Sequence, residues 1–223
     1  MIVTIDGPAG AGKSTVARRL ARKLDLQYLN SGYIYRSVTL LVLEKGGRFD
    51  DRSLVEEVIR KLDIRFTDTD AGTEVFVDGR DVSSRITDPD VTAEVYRVAA
   101  DRGYREMLVD LQRRFAAGGV VAEGRDMGTV IFPDADLKVY LDASPAERAR
   151  RRHRELVARA QPGGRVLSYD DVFSSLAVRD ERDRGRLHAP LRVPADAVVI
   201  QTDDLTVDQV VEEILVQLKN CNV

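Results

Sequence analysis

The chain has 223 residues, 43% of them hydrophobic and 32% charged, which suits one domain with a buried core and excludes a compositionally disordered protein. A formal net charge of -3, from 34 basic and 37 acidic residues, excludes a polybasic protein that coats nucleic acid. The single cysteine, Cys221, excludes an internal disulfide framework and a cysteine-based metal cluster.

Ile2 to Ile5 is a short apolar run, Asp6 to Gly12 a glycine-rich loop, and Lys13 to Leu24 an amphipathic helix. That helix carries Val16, Leu20 and Leu24 at i, i+4 and i+8. Nothing basic precedes the first run, and no apolar stretch approaches the ~18 residues of a membrane span. A soluble cytoplasmic protein with no membrane partner is expected. Gln27 to Leu29 reads as a second strand, and Tyr33 to Leu43 as a helix ended by Gly46-Gly47. Leu54 to Lys61 is helical. Ile64 to Thr67, Glu74 to Val77 and Arg80 to Val82 are short strands separated by Asp70-Ala71-Gly72 and Asp78-Gly79. An antiparallel patch inside an α/β chain reads as an inserted subdomain.

Asp90 to Phe115 returns to helix, with a break expected near Gly103. Val120 to Ala122 and Leu137 to Leu141 are strands. Ser144-Pro145 is an N-cap and first-turn pair for a helix over Ala146 to Arg159. Gln161-Pro162-Gly163-Gly164 breaks that helix, Tyr169 to Arg182 resumes it, Ala197 to Ile200 is a strand, and Val207 to Leu218 closes with a helix. Short apolar strands alternating with helices predict a parallel, doubly wound α/β sheet.

Gly7-Pro8-Ala9-Gly10-Ala11-Gly12-Lys13-Ser14 fits the pattern G-x-x-x-x-G-K-[ST], set between a predicted strand and a predicted helix. Glycines let successive backbone N–H groups turn inward onto phosphate oxygens, and the helix adds its positive N-terminal end. Lys13 can then reach the outer phosphates, while the Ser14 hydroxyl can ligate Mg²⁺. Ser31-Gly32-Tyr33-Ile34-Tyr35-Arg36 follows the second strand and opens onto the same crevice. Arg36 is placed there to hold an anion. Glu123-Gly124-Arg125-Asp126 follows the third strand of the core. Glu123 is a candidate for Mg²⁺ or its waters, and Arg125 suits bidentate phosphate binding.

Between Glu147 and Arg192 stand twelve arginines, no lysine and seven acids. Arg179, Arg182 and Arg186, at i, i+3 and i+7, would share a helix face and meet the phosphates from above. A lid hinged at Pro162-Gly163-Gly164 would clamp the transferring group and exclude water. Because arginine outnumbers lysine 28 to 6 throughout, position carries more weight than density. His153 and His188 read as surface residues, and no Ser/His/Asp or Cys/His set supports hydrolytic chemistry.

With these motifs in hand, the chain resembles the bacterial cytidylate kinases of the P-loop nucleoside monophosphate kinase class. The resemblance is carried by Gly7 to Thr15, Asn30-Ser31-Gly32-Tyr33-Ile34-Tyr35-Arg36, Glu123 to Pro133, Tyr140-Leu141-Asp142-Ala143-Ser144 and Arg179-Asp180-Glu181-Arg182-Asp183. It runs in order from Ile2 to about Ile214, and Gly124-Arg125-Asp126-Met127-Gly128-Thr129 is its most specific part.

The resemblance implies a five-stranded parallel sheet wrapped by helices, with an inserted monophosphate-binding subdomain holding a small antiparallel sheet, and a helical lid. Within one kinase domain, residues 1–30, 116–147 and 193–223 would form the core, 31–115 the monophosphate-binding region, and 148–192 the lid with its flanking helices. It implies Mg²⁺-dependent transfer of the ATP γ-phosphoryl group to CMP or dCMP by a monomer that binds no nucleic acid. Gly7, Pro8, Ala9, Gly10, Ala11, Gly12, Lys13, Ser14 and Thr15 would bind ATP phosphates, with Ser14 on the metal. Ser31, Arg179 and Asp183 would hold the acceptor sugar, and Arg36, Arg125 and Arg186 its phosphate. Arg105 and Asp126 would read the cytosine edge. Lys13, Arg125 and Arg179 would be the catalytic residues. Three positions depart from the family pattern: Tyr96 replaces a small hydroxyl residue at the base, Asn30 a frequent acid, and Tyr33 a frequent small residue. Two alternatives remain: a UMP/CMP kinase with relaxed base choice, and a non-enzymatic P-loop nucleotide switch that needs no acceptor pocket.

Overall fold

The computed structural model describes residues 1–69, 72–159 and 167–221. The first strand, β1 (Ile2–Asp6), lies at the centre of a five-stranded sheet. Around it stand β2 (Gln27–Asn30), β6 (Val120–Gly124), β7 (Leu137–Asp142) and β8 (Val198–Gln201), in the order β2-β6-β1-β7-β8 and with every pairing parallel. The doubly wound expectation is met. Every residue of β6 is buried, and alternation along the strand shares it between two cores. Val120 and Ala122 face one, and Val121 faces the other.

On one face, α1 (Lys13–Leu24) and α8 (Val207–Asn220) cover β1 and β7, packing Val16, Leu20 and Ile214 against Ile5 and Leu141. Leu20 and Ile214 are wholly buried, and each such side chain contributes roughly 1.5–3 kcal/mol. The other face is covered by α2 (Ser31–Glu44), α3 (Arg52–Lys61), α4 (Pro89–Ala100) and α5 (Arg102–Arg114). The three-stranded antiparallel sheet, β3 (Ile64–Asp68), β4 (Thr73–Val77) and β5 (Arg80–Asp81), buries Ile64, Val75 and Val77 in this second core.

The helix expected over Asp90 to Phe115 is broken near Gly103 as expected, into two helices parted at Asp101. Asp101 takes extended backbone angles, and its carboxylate accepts a 2.9 Å hydrogen bond from Tyr104 N. It starts α5 as an N-cap, and a capped start needs no glycine. Ser144 caps α6 (Pro145–Arg159) as expected, accepting from Glu147 N at 3.3 Å. The next helix, α7 (Tyr169–Arg184), is fixed by a capping box between Ser168 and Asp171. It ends before Gly185, so Arg186 lies beyond it, and the shared face expected for Arg179, Arg182 and Arg186 does not exist. The hinge expected at Pro162-Gly163-Gly164, and the Asp70-Ala71 part of one turn, lie outside the described residues.

Candidate active site

In a parallel sheet the loops after β1, β2, β6 and β7 leave from one edge. That edge therefore gathers Gly7 to Ser14, Ser31 to Arg36, Arg125 with Asp126, and Ser144. Gly7 has a φ of 148°, and a Cβ there would lie 2.0 Å from the Leu141 carbonyl oxygen, so only glycine lets the loop leave β1 so close to β7. Gly12, with a φ of 90°, turns the chain into α1 as its N-cap. The loop is braced from outside: Arg148 Nη1 donates to Ala9 O at 3.1 Å, and Thr202 Oγ1 to Ala11 O at 3.4 Å. Lys13 is buried, and its Nζ donates to Pro8 O at 2.7 Å. Burial first, then Arg125 and Arg179, push its ammonium down to about 7.

Ser14 and Thr15 are exposed on the first turn of α1. Among the described residues no atom engages the Ser14 hydroxyl, and no group of three acids, histidines or cysteines is placed to hold a metal ion. A hard-oxygen ligand beside a phosphate loop fits Mg²⁺ carried mainly by phosphate oxygens. Glu123 is engaged through one oxygen. Its Oε1 accepts from Tyr28 Oη at 2.7 Å and Asn30 Nδ2 at 2.6 Å, which also accounts for Asn30 as an amide.

Opposite the phosphate loop, Asp183 is buried and accepts from Arg125 Nε at 2.8 Å and from Arg186. Burial acts to raise the Asp183 carboxyl, but Arg125, Arg186 and Arg179 outweigh it and hold it below its ordinary value. Arg179 is solvent-accessible and interacts with Arg125, Asp183 and Arg36. Desolvation, then Arg125, pull its guanidinium down to about 9. Arg36 is half-buried, not a free surface charge: its Nη1 donates to Ile86 O at 2.9 Å and Thr92 Oγ1 at 2.8 Å. Desolvation, then Arg152, bring it to about 10. Desolvated cations gathered on one cleft favour an anionic ligand there.

Arg105 and Asp126 form a buried ion pair. Arg105 also donates to Ala99 O at 3.0 Å, and its guanidinium lies 5.3 Å from the Tyr35 ring centroid. Burial acts to lower Arg105, yet Tyr35 and Asp126 leave it above its ordinary value. The pair lines a cavity of about 430 Å³ together with Tyr35, Val109 and Ile131. Ser31 is buried against the end of β6, its Oγ close enough to Gly124 that a Cβ there would sit at 2.6 Å.

The sequence-expected residues are thus brought to one cleft: Lys13, Arg36, Arg105, Arg125, Asp126, Arg179, Asp183 and Arg186 interact within it. Arg182 turns instead to Tyr96, 5.0 Å from its ring centroid, and Arg151 donates to Thr202 Oγ1 at 2.9 Å. Asp6 is the buried acid that sequence reasoning passed over. A carboxylate ending an apolar strand just before the glycine loop was its available signal.

The cytidylate kinase family profile matches residues 3–220. The chain is 45% identical to a cytidylate kinase of Carboxydothermus hydrogenoformans over 216 residues, covering 96% of each protein. It is 46% identical to a bifunctional pantoate ligase/cytidylate kinase of Synechococcus over 216 residues, covering 96% of this chain but 44% of that protein. Among solved structures, an uncharacterized protein from Eubacterium ventriosum shares the fold, with a TM-score of 0.54 at 13% identity over 98% of both chains. The profile match runs from Val3 in the first strand to Asn220 in the last helix, and on it the chain belongs to the cytidylate kinase family and is a nucleotide kinase.

Proposed function

We propose that the protein transfers the γ-phosphoryl group of ATP to CMP and dCMP, with Mg²⁺, giving ADP and the cytidine diphosphates. The observation that carries this reading is the buried Arg105–Asp126 pair lining an apolar-walled cavity. A carboxylate accepts from the exocyclic amino group of cytosine, while a guanidinium donates to its ring oxygen and nitrogen. Uracil offers a carbonyl where cytosine offers the amino group, and Asp126 would face it without a hydrogen bond.

The donor phosphates belong in the loop Gly7 to Thr15, under the amide groups that begin α1. Lys13 exchanges its bond to Pro8 O for phosphate oxygens. Ser31, Arg179 and Asp183 hold the acceptor sugar, and Arg36, Arg125 and Arg186 its phosphate. A phosphate oxygen of the acceptor attacks the γ-phosphorus, and the bond from that phosphorus to the bridging oxygen of ADP breaks. The acceptor enters as its dianion, so no base is needed. Catalysis is left to positioning and charge neutralisation by Lys13, Arg125 and Arg179. Mg²⁺, when bound, would be held by Ser14 together with phosphate oxygens and would supply further neutralisation. Residues 31–115 act as the acceptor-binding region and 148–192 as the lid over a core of 1–30, 116–147 and 193–223. Every group the reaction needs comes from one chain, and its substrates are free nucleotides. We therefore take the working form as a cytoplasmic monomer with no nucleic-acid or membrane partner. No described helix is long and apolar enough to cross a membrane.

A coupled ADP-release assay over CMP, dCMP, UMP, AMP and GMP tests the reading. Turnover with CMP and dCMP well above the other three supports it, and equal turnover with all five overturns the base assignment.

A further inference from the structure

Asp6 ends β1 immediately before the donor loop, yet both of its carboxylate oxygens point away from that loop's amides. Oδ1 accepts from Met127 N at 2.9 Å and Oδ2 from Gly128 N at 2.8 Å, across 121 and 122 residues of chain. These two amides open a π-helical turn over Met127–Ile131, in which Val130 N and Ile131 N return to Asp126 O and Phe132 N to Met127 O. The first amides of any helical turn have no partner within it and need a cap.

The residue placed by sequence to cap this turn is Asp126, and its side chain makes no capping bond. It pairs with Arg105 instead. The turn is closely seated besides. A Cβ on Gly128 would lie 2.9 Å from Thr4 Oγ1, and Arg113 Nε donates to Ile131 O at 2.8 Å. Two carboxylates therefore meet at this junction, one spent on backbone and one facing the cavity. Asp6 is buried. Desolvation, against the two amide bonds, raises it to about 6, with Asp126 adding repulsion and Lys13 attraction.

We propose that Asp6 is a positioning residue for the acceptor pocket: it caps the turn at Met127 and Gly128, and so leaves the Asp126 carboxylate free to pair with Arg105 and receive the base. This rests on the reading of Asp126 as an acceptor contact. A residue adjoining the donor loop thereby acts on acceptor recognition. Without its cap, the turn competes with Arg105 for the Asp126 carboxylate.

Asp6→Asn keeps the shape but leaves one acceptor oxygen for two amides. Its expected effect is a CMP KM raised on the order of tenfold, an ATP KM changed by less than about threefold, and a narrowed preference for CMP over UMP. Equal rises in both KM values, or an unchanged CMP KM in a folded variant, overturns the proposal. Asp126→Asn is measured alongside. If it raises the CMP KM while Asp6→Asn does not, the positioning role alone falls. If neither raises it, the reading of Asp126 falls as well. Should Asp6→Asn not fold, the wild-type protein answers by NMR. The Met127 and Gly128 amides, bonded to Asp6, should be protected from hydrogen exchange, and rapid exchange at both overturns the cap.

Discussion

The guanidinium of Arg182 lies 5.0 Å from the ring centroid of Tyr96, joining α7 to α4, while Arg97 approaches the same ring at 5.4 Å. Both contacts are solvent-accessible, so each is worth about 0.5–1 kcal/mol. Tyr96→Ala should raise the CMP KM roughly two- to fivefold, as the lid helix loses a contact with the acceptor region. Tyr96→Phe keeps the ring and should behave as wild type. Initial rates over a CMP series decide this, and a Phe variant as impaired as the Ala variant would assign the effect to the hydroxyl.

Lys13→Ala should lower kcat by on the order of 100- to 1000-fold or more, because a preorganised charge at the transferring phosphate is lost. The fold should survive: Lys13 makes a single described hydrogen bond, to Pro8 O, and a buried ammonium burdens the folded state. Steady-state rates read with a circular-dichroism melt test both halves. Undiminished turnover would remove Lys13 from the phosphate site.

Because Lys13 is held down to about 7, nucleotide binding should be linked to protons. Phosphate oxygens give the ammonium a partner and raise its pKa again. At about pH 8 the free enzyme carries Lys13 mostly neutral, so binding takes up close to one proton; at about pH 6 it takes up almost none. Affinity should therefore weaken as pH rises through about 7 and beyond. Calorimetry at both pH values, in buffers of differing ionisation enthalpy, measures the uptake directly. Lys13→Ala should abolish it.

The motifs that act through fixed backbone shape were legible from sequence alone. The loop Gly7 to Ser14 needs its glycines wherever it occurs, and strands such as Val120 to Ala122 are apolar because both faces are covered. Contacts that depend on three-dimensional return of the chain were not. Asp6 meets Met127 and Gly128 only because β1 pairs with β6. The arginine-rich segment shows the same limit. Spacing placed Arg182 with Arg179 and Arg186, but α7 stops at Arg184 and the cleft receives only the outer two. Arg148 and Arg151 look alike in sequence, yet one is buried against Asp180 and the other reaches Thr202.

Arg148 and Asp180 link α6 to α7 by a buried ion pair, and Arg148 also donates to Ala143 O at 3.0 Å and to Ala9 O in the phosphate loop. Arg148 reaches Asp180 Oδ2, and Oδ1 has no hydrogen-bond partner among the described residues, so the carboxylate depends on this arginine. Arg148→Met would fill much of the volume but leave a buried carboxylate unpaired, at about 3–5 kcal/mol. The double variant Arg148→Met, Asp180→Leu removes both charges and should recover most of that loss, since a well-packed apolar pair can equal a buried ion pair. Urea unfolding of the two variants gives the difference. Recovery of stability without recovery of kcat would further assign Arg148 a part in shaping the phosphate loop through Ala9. Recovery of both would make the pair a purely structural joint between the two helices.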